Sequence, residues 1–515
     1  MKKRRTSSIQ QMVGAGALCA GGAAALAAGP DVIYTEIASD PTGTVPGALD
    51  GAGSPVVTNW MAIEDLAVSH DGTQWCIKGR TTQATTNDSI LILGSATSGT
   101  MFLQDGQPVQ GGAAGELWDF FDSPNPISWD DNGNIGFSAR AKNGLSAVKE
   151  KVVRVVSGVH TILFTESSPA TGLTDVVANP TGDELIGNSV GSVQLRNDGT
   201  VFHCNTPIQN CHSSRYPALF LSTAGFKQSG VSTIGFETWD SFVLDGAGCT
   251  PDGAHWFAEG DTENPSTTID GLLVVDDVVV MREGSALAGT GIIAADVFFT
   301  RMITTGDWFS RGDDTADNDW AMRNGVVIAA TGDPITTPLV GPTENWGNAF
   351  SAFHGNSKGD WVLAGNTTNV DLNADNVLVL NGDTIVAREG DAVDVNGNGQ
   401  ADDNAFIAGF QPNDLFLTDE MMVHVLVTLR NGAGTSLGDA YLQYDLAPIP
   451  PACPSDIAPR GGNGTVNVND LLAVINGWGA CADPCPPSCV ADVNGDCNVN
   501  VNDLLAVINA WGNCP

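Results

Sequence analysis

A chain of 515 residues is long enough for more than one domain, and its 59 Asp+Glu against 22 Lys+Arg give a formal charge of −37. That field excludes nucleic acid and anionic lipid as electrostatic partners and leaves calcium, cationic surfaces and neutral polymers. With 61 Gly and no long amphipathic helical pattern, the composition favours short strands joined by turns.

The chain opens Met1-Lys-Lys-Arg-Arg5 and continues as an apolar, small-residue run from Met12 to Ala28. A charged head, a short apolar middle and a small-residue exit describe a secretory signal peptide. The run is too short and too rich in Gly and Ala for a stable membrane span, and no later stretch qualifies. Residues 1–28 are therefore expected to leave an exported protein of charge about −41. Ten cysteines remain after Cys19 is removed, in a compartment that permits disulfides.

From 29 to 447 two motifs interleave. The first is a turn followed by an aromatic strand: Asp71-Gly-Thr-Gln-Trp75, Asn132-Gly-Asn-Ile-Gly-Phe137, Asp198-Gly-Thr-Val-Phe202, Asp252-Gly-Ala-His-Trp256, Gly306-Asp-Trp308 and Gly359-Asp-Trp361. A faint last copy is Thr418-Asp-Glu-Met-Met-Val423, and the turns recur every 53 to 66 residues or so. The second motif is an apolar strand with a Gly-rich exit, as in Val280-Met-Arg-Glu-Gly284, Val327-Ile-Ala-Ala-Thr-Gly332 and Ile385-Val-Ala-Arg-Glu-Gly390. Weaker copies start at Met101, Ile162 and Leu219. The remaining copy lies at the N-terminus, Val32-Ile-Tyr-Thr-Glu-Ile37. A ring of sheets that closes by mixing strands from both chain ends explains the displacement. The body is expected to be mainly β, a seven-bladed β-propeller with N/C-terminal strand closure. A β-sandwich array or β-solenoid is the rival. The region also resembles propeller-type repeat regions of secreted bacterial proteins.

The body carries no Gly-x-Ser-x-Gly elbow, His-Glu-x-x-His or P-loop. Ser69-His-Asp-Gly-Thr-Gln-Trp75 looks like the Asp-box of sialidase-type propellers but is one spacer short. Tyr34, Tyr441 and Tyr444 fall in the expected closing strands, so sialidase chemistry is not carried over. Cys204 and Cys211, flanked by His203 and His212, read as a disulfide around a loop more readily than as a metal site. The repeating aromatics Trp75, Phe137, Phe202, Trp256, Trp308 and Trp361 read as packing between sheets. Trp60, Trp118, Trp129, Trp239, Trp320 and Trp346 lie off that position and are the better candidates for a ligand face. Asp394, Asn396, Asn398, the Gln400 carbonyl and Asp402 have the spacing that opens a calcium loop. Ala405 stands at position 12, so the closing ligand must come from elsewhere, with Asp403 at hand. The alternative is a plain Asn/Gly turn.

Residues 448–452, Pro-Ile-Pro-Pro-Ala, form a stiff linker. Beyond it, Val466-Asn-Val-Asn-Asp-Leu-Leu-Ala-Val-Ile-Asn-Gly-Trp-Gly-Ala-Cys481 returns almost unchanged as Val499 to Cys514, offset by 33 residues. The acidic stretch from Asp492 to Asp503 places oxygen side chains at positions 1, 3, 5, 9 and 12 of a twelve-residue calcium loop. Each loop is followed by an apolar helical face, Leu471, Leu472, Val474, Ile475 and Trp478 in the first copy, with a Gly C-cap expected. The plain reading of those faces is two helices packing on each other.

Residues 453–515 resemble a type I dockerin, a small double-loop calcium module that plugs a secreted protein into a cohesin partner. The resemblance implies Ca2+ on Asp492, Asn494, Asp496, the Asn498 carbonyl, Asn500 and Asp503. In the first loop it implies Asp456, Asn463, the Thr465 carbonyl, Asn467 and Asp470, although the stretch after Asp456 is about three residues too long. Position 6, where the backbone usually needs Gly, is Gly464 in one loop and Cys497 in the other. Positions 10 and 11, which carry partner choice in the family, read Val468, Asn469 and Val501, Asn502. That is not the family's usual Ser/Thr pair and implies a partner that departs from the ordinary cohesin. Repeat equivalence pairs Cys453 with Cys481 and Cys489 with Cys514, leaving Cys485 for Cys497.

The expected protein is thus secreted, calcium-binding and non-catalytic. Its propeller binds a polysaccharide or protein, and its tail tethers it to a cohesin-like or cell-surface partner. The rival is a dockerin-bearing glycoside hydrolase or polysaccharide lyase with its site in the propeller funnel.

Overall fold

The computed structural model describes residues 29–121, 126–143, 148–174, 182–211, 217–335, 344–446, 455–458, 465–481, 489, 491–494 and 496–513. The segments read as signal peptide (1–28) and linker (448–452), with Cys453, Asn463, Gly464, Cys485 and Cys514, lie outside them. The chain forms two compact units, the body and a tail from 450 to 515. Among the described residues no helix is long and apolar enough to cross a membrane.

The body is a seven-bladed β-propeller. Antiparallel sheets of four or five strands follow one another over 60–104, 116–165, 189–228, 247–282, 294–330 and 334–388, here blades one to six. Blade seven combines strands from 406–445 with Asp31–Thr35 from the other end of the chain. Asp31 lies opposite Gln443, Tyr34 opposite Tyr441 and Thr35 opposite Ala440. The displaced N-terminal motif is therefore the outermost strand of the last blade, and the sandwich and solenoid rivals fall.

The turn motif joins the first and second strands of each blade, as where Val68 pairs with Trp75 and Gly355 with Trp361. A side-chain oxygen at the start of the turn accepts backbone N–H groups two and four residues on. Asp130 does so from Asn132 and Asn134, and Asn356 from Lys358 and Asp360. Six of these turns place Gly at φ between 70° and 98°, from Gly72 to Gly359, and the seventh places Met421 at 65°. A side chain in that left-handed region costs about 1–2 kcal/mol, which explains why the seventh copy reads so faintly. The second motif maps to outer strands such as Ser98–Gln104, Val278–Arg282 and Thr384–Arg388. Its Leu219 copy does not. Ala218–Leu221 is the third strand of blade three, and the outer strand is Ala224–Gln228. Apolar density marks the buried third strand there, because the outer one is mostly half-exposed.

The apolar residues of each sheet are buried against the next blade. Phe202, Cys204 and Leu219 of blade three share a core with Trp239, Ala258 and Leu272 on the blade-four side. At the seam, Ile33, Tyr34, Phe416, Leu426 and Tyr441 share one with Trp60, Trp75 and Ile90 of blade one. Tyr34 lies 5.6 Å from the Trp60 ring and 5.9 Å from Trp75.

In the tail, α1 (Val468–Asn476) and α2 (Val501–Asn509) each begin with a capping box, Asn467 with Asp470 and Asn500 with Asp503. Thr465–Val466 pairs with Gly512–Asn513, and Gly479–Ala480 pairs with Asn498–Val499. Each loop is thereby tied to the stretch that follows the other helix. Val466, Val474, Val499 and Val507 close a small core with Ile457 and Ala491. The Gly expected to cap each helix lies beyond the C-cap position itself. Gly477 has φ −88°, its counterpart is Ala510, and the positive φ falls two residues later at Gly479 (128°) and Gly512 (123°).

The cysteine pairing also differs from repeat equivalence. Cys481 bonds Cys489, with Cα atoms 5.7 Å apart, so neither bonds Cys453 or Cys514. Cys481 follows α1 and Cys489 opens the second repeat. They flank one short connection, and closing that loop needs neither chain end. Cys497 is disulfide-bonded too, and its expected partner Cys485 lies outside the described residues. In the body, Cys76, Cys204, Cys211 and Cys249 are buried thiols, and the expected Cys204–Cys211 bridge is not formed. Cys204 lies on Val201–Thr206, while Cys211 accepts a hydrogen bond from Gln228 (3.7 Å).

Replacing Tyr34 with Ala empties the seam and is expected to cost about 3 kcal/mol of body stability. Urea denaturation followed by Trp fluorescence measures it. An unchanged midpoint would mean that the closing strand contributes nothing to the ring.

Candidate functional site

Seven inner strands converge on the central channel. A cavity of about 140 Å3 is lined from every blade, among others by His70, Trp129, Gln194, Thr300, His354 and Thr418. A second cavity of about 230 Å3 lies farther along the same strands, lined by Asp65, Asp245, Glu259, Asp414, Asn413 and Phe298 among others. Arg301, Phe299 and Asp245 border both.

Arg301 is held by backbone. It donates to the carbonyls of Leu415 (3.2 Å) and Asn413 (3.3 Å), and its guanidinium lies 3.9 Å from the centre of the Phe416 ring. Burial lowers its pKa to about 10, so it stays charged at neutral pH. The carboxyls move the other way. Burial, reinforced by the charge of Asp65, pushes Asp414 up to about 8, although the Leu66 N–H donates to it. Burial pushes Glu259 up to about 7.

The channel histidines are kept neutral. His354 Nδ1 accepts from the Leu417 N–H (3.1 Å), which places its proton on Nε2, and burial followed by nearby Arg301 holds its pKa well below 6.5. Burial also lowers His70. His203 of the Cys/His segment is a core residue. It stacks on Phe220 at 5.2 Å, contacts the Ser222 carbonyl through Nε2 (2.7 Å), and has its pKa lowered to about 4 by burial. His212 lies outside the described residues. Tyr34, Tyr441 and Tyr444 sit in the closing strands with burial raising all three, Tyr34 to about 12. Ser69 and Asp71 of the Asp-box-like turn bond each other and the turn backbone, a structural role.

The tryptophans reverse one expectation. Trp60, Trp118, Trp129, Trp239, Trp320 and Trp346, the candidates for a ligand face, are all buried. Of the six only Trp129 borders the upper cavity, where its Nε1 donates to Gln74 (2.8 Å). The others fill interblade cores, a role their offset from the turn motif concealed. The repeating aromatics pack as expected, with Trp75, Phe137, Phe202 and Trp308 buried.

In the blade-six exit, Asp394 accepts from the backbone N–H groups of Gly397 and Gly399, Asn396 from Asn398, and Asn398 from Gln400. These turns gather the oxygens of positions 1, 3 and 5. Asp403 reaches back to Asn396 through both backbone and side chain, while Ala405 is buried. The Gln400 carbonyl accepts from the Asp402 N–H (2.9 Å), and the Asp402 side chain is exposed.

The second tail loop has the same inward turns. Asp492 accepts from Asp496 and Cys497, Asn494 from Asp496, and Asp496 from Asn498. Cys497 takes the glycine-like conformation of position 6, with φ 65°. Buried Asp503 accepts from the N–H groups of Asn494 (3.1 Å) and Asn500 (2.8 Å). Asp470 does the same in the first loop, from Ala458 and Asn467 (2.7 Å each) and from Ile457. Ala458 stands two residues after Asp456, as Asn494 stands two after Asp492. Asp456 thus occupies position 1, and the three extra residues fall between Ala458 and Thr465. Among the described residues no three His, Cys, Asp or Glu side chains converge as a metal group. These loops combine Asp with Asn and carbonyl oxygens, the donor mixture that calcium accepts.

The helix faces split in an unexpected way. Val474 and Val507 are buried, and Leu471 and Leu504 pack against the small core. Val468, Leu472, Ile475 and Trp478 point outward, as do Val501, Leu505, Ile508 and Trp511, each 46% to 54% exposed. Asn469 and Asn502 are exposed beside them.

No family of known proteins and no curated protein matches the chain by sequence. Solved structures of similar shape include the β-propeller domain of the Trilobed protease from Pyrococcus furiosus, 8% identical over 75% of this chain and 96% of that one, with a TM-score of 0.36. Trypanosoma rangeli sialidase is 7% identical over 81% of this chain and 59% of its own, TM-score 0.31. The periplasmic gluconolactonase of Pseudomonas aeruginosa is 12% identical over 72% and 96%, TM-score 0.30. No activity is carried over from any of them.

A carboxyl whose pKa is higher folded than unfolded binds its proton more tightly in the fold. Its contribution is full below about pH 4, the unfolded value, and is lost as pH rises through the folded value. For Asp414 that window runs from about pH 4 to about 8. Asp414→Asn keeps an acceptor for Leu66 and is expected to raise the melting temperature more at about pH 8.5 than at about pH 4.5. Equal shifts at both would assign the effect to packing instead of charge.

Proposed function

We propose that this is a secreted, calcium-loaded protein whose propeller is a binding domain and whose dockerin-like tail docks it onto a cohesin-like or cell-surface protein. The observation that carries this reading is the pair of outward apolar stripes, one on each tail helix. Three large apolar side chains on a nine-residue helix and a Trp two residues beyond it, all about half-exposed, are unusual unless a partner covers them. Covering them is favourable by on the order of 1 kcal/mol per side chain. The stripes begin at Val468 and Val501, where the resemblance places partner choice.

Calcium has a structural part in this reading. Asp456, Asn463, Thr465, Asn467 and Asp470 would hold one ion, and the set from Asp492 to Asp503 a second. In the body, Asp394, Asn396, Asn398 and Asp403 would hold a third. Each ion would neutralise acids that otherwise repel one another at the start of a helix or in the blade-six exit. The propeller would present its loops and channel mouth to a polysaccharide or protein.

Equilibrium dialysis of the full chain is expected to return three calcium ions, falling by one in Asp496→Ala. Calcium at about one hundred times its dissociation constant should stabilise the tail by about 2.7 kcal/mol per ion. Labelled full chain should be retained on the producing cell's surface fraction with calcium and released by chelator. Trp478→Ala combined with Trp511→Ala should abolish that retention without changing calcium stoichiometry. Retention that survives the double variant would rule out the stripes as the docking surface. Sustained release of reducing ends from a polysaccharide would favour the enzyme reading.

A further inference from the structure

The geometry points to the upper cavity of the channel as a binding site for the carboxylate of a small organic acid, held by Arg301 and His354. The inference deepens the reading of the propeller as a binding domain and depends on the ring alone, so failure of the tail to dock leaves it standing. In a chain with 59 Asp+Glu against 22 Lys+Arg, an arginine inside the ring should find a carboxylate. Lys78, Arg80, Arg282, Arg323 and Arg388 do so elsewhere in the blades. Arg301 does not. Among the described residues it donates to the backbone carbonyls of Leu415 and Asn413, and no carboxylate forms an ion pair with it. The Phe416 and Phe299 ring centres lie 3.9 Å and 4.9 Å from it. Stacking and backbone thus fix the guanidinium without neutralising it. A guanidinium has five N–H donors, and those not spent on the two carbonyls have no acceptor among the described residues. An acceptor entering the cavity meets that need.

His354 supplies the second donor. It is 6% exposed, lines the cavity and lies against the same Phe416 ring at 5.3 Å. Its Nδ1 accepts from the Leu417 N–H, which leaves the proton on Nε2. Among the described residues Nε2 has no acceptor. A neutral N–H beside a guanidinium matches the two oxygens of a carboxylate. The acids of the lining are engaged already. Asp419 accepts from the Ser357 N–H (2.9 Å) and hydroxyl (2.6 Å), and Asp245 from the Ser192 N–H (3.2 Å). Asp414, whose charge bears on Arg301, accepts from the Leu66 N–H and is held up at about 8. At neutral pH it therefore leaves the guanidinium uncompensated. The field of the acidic surface fades over about 8 Å at physiological salt, so the local donors decide what binds. Ile127, Val193, Phe257, Met302 and Leu417 give the cavity apolar walls for a carbon body, and its volume of about 140 Å3 admits one small molecule.

Calorimetric titration of the calcium-saturated full chain at about pH 7 tests the site, with both probe acids ionised and Arg301 charged. The probes are glucuronate and hexanoate, each beside its own amide, with sulfate as an inorganic anion. Saturable binding of at least one acid, at least about tenfold weaker for its amide and for Arg301→Gln, supports the site. Binding confined to glucuronate assigns a sugar acid, and binding confined to hexanoate assigns an aliphatic acid. Binding of both assigns recognition to the carboxylate itself. Thr304 is a half-buried residue of the same lining. Thr304→Trp fills the cavity and leaves the bonds of Arg301 intact, so it serves as the second variant should Arg301→Gln fail to fold. The protein carrying Trp478→Ala and Trp511→Ala should bind the acid as the parent does, which separates this site from the docking surface. The inference is overturned if neither acid saturates below about 50 mM. It is equally overturned if an amide or sulfate binds as tightly as the acids, or if either folded channel variant binds as the parent does.

Discussion

The pairing of Asp31–Thr35 with Ser436–Asp445 is the constraint on which the ring depends. A sheet with apolar residues on its faces must bury them against another layer. Each blade here uses its neighbours for that purpose, so an open chain of blades would leave Tyr34, Trp60, Trp75 and Tyr441 facing water at the seam. One five-residue strand joins the two ends of the body and brings blade seven against blade one. The strand is short, but it carries Ile33 and Tyr34 into the interblade core, so hydrogen bonding and apolar burial close the ring together.

Closure also creates the electrostatics of the channel. Leu66 and Asp414 are 348 residues apart in sequence and meet by a hydrogen bond of 2.9 Å. The same convergence puts Asp65, Asp245, Glu259 and Asp414 around one cavity, with Arg301 shared between it and the cavity above. Little water reaches Glu259 or Asp414, which is why burial outweighs every other influence on them. The channel therefore stores charge at some cost in stability above neutral pH, a cost that persists only where a ring of packed blades holds the groups in place.

The tail solves the small-domain problem differently. Among the described residues its core is six buried side chains, few for a unit that must hold itself together. A disulfide across the connection between repeats, two capping boxes and the reciprocal strand pairs supply the rest. Because the helices are short, one face cannot serve both the core and the surface. Val474 and Leu471 turn inward while Leu472, Ile475 and Trp478 turn outward.

By itself the sequence determined whatever repeats locally. The Asp/Asn-Gly turns, the N-terminal copy of the outer-strand motif and the duplicated acidic loops are legible because each is set by a few neighbouring residues, and their spacing was enough to infer seven blades and the seam. Tertiary structure alone decided where burial falls. Trp60, Trp118, Trp239, Trp320 and Trp346 became interblade core instead of ligand face because burial depends on the facing blade, which local spacing does not encode. Cys481 found Cys489, eight residues on, instead of a chain-end cysteine, because a disulfide follows which Cα atoms the fold brings close and not the symmetry of the repeats. The acidic cavity is the extreme case, since its residues share no motif and meet only when four blades converge on one axis.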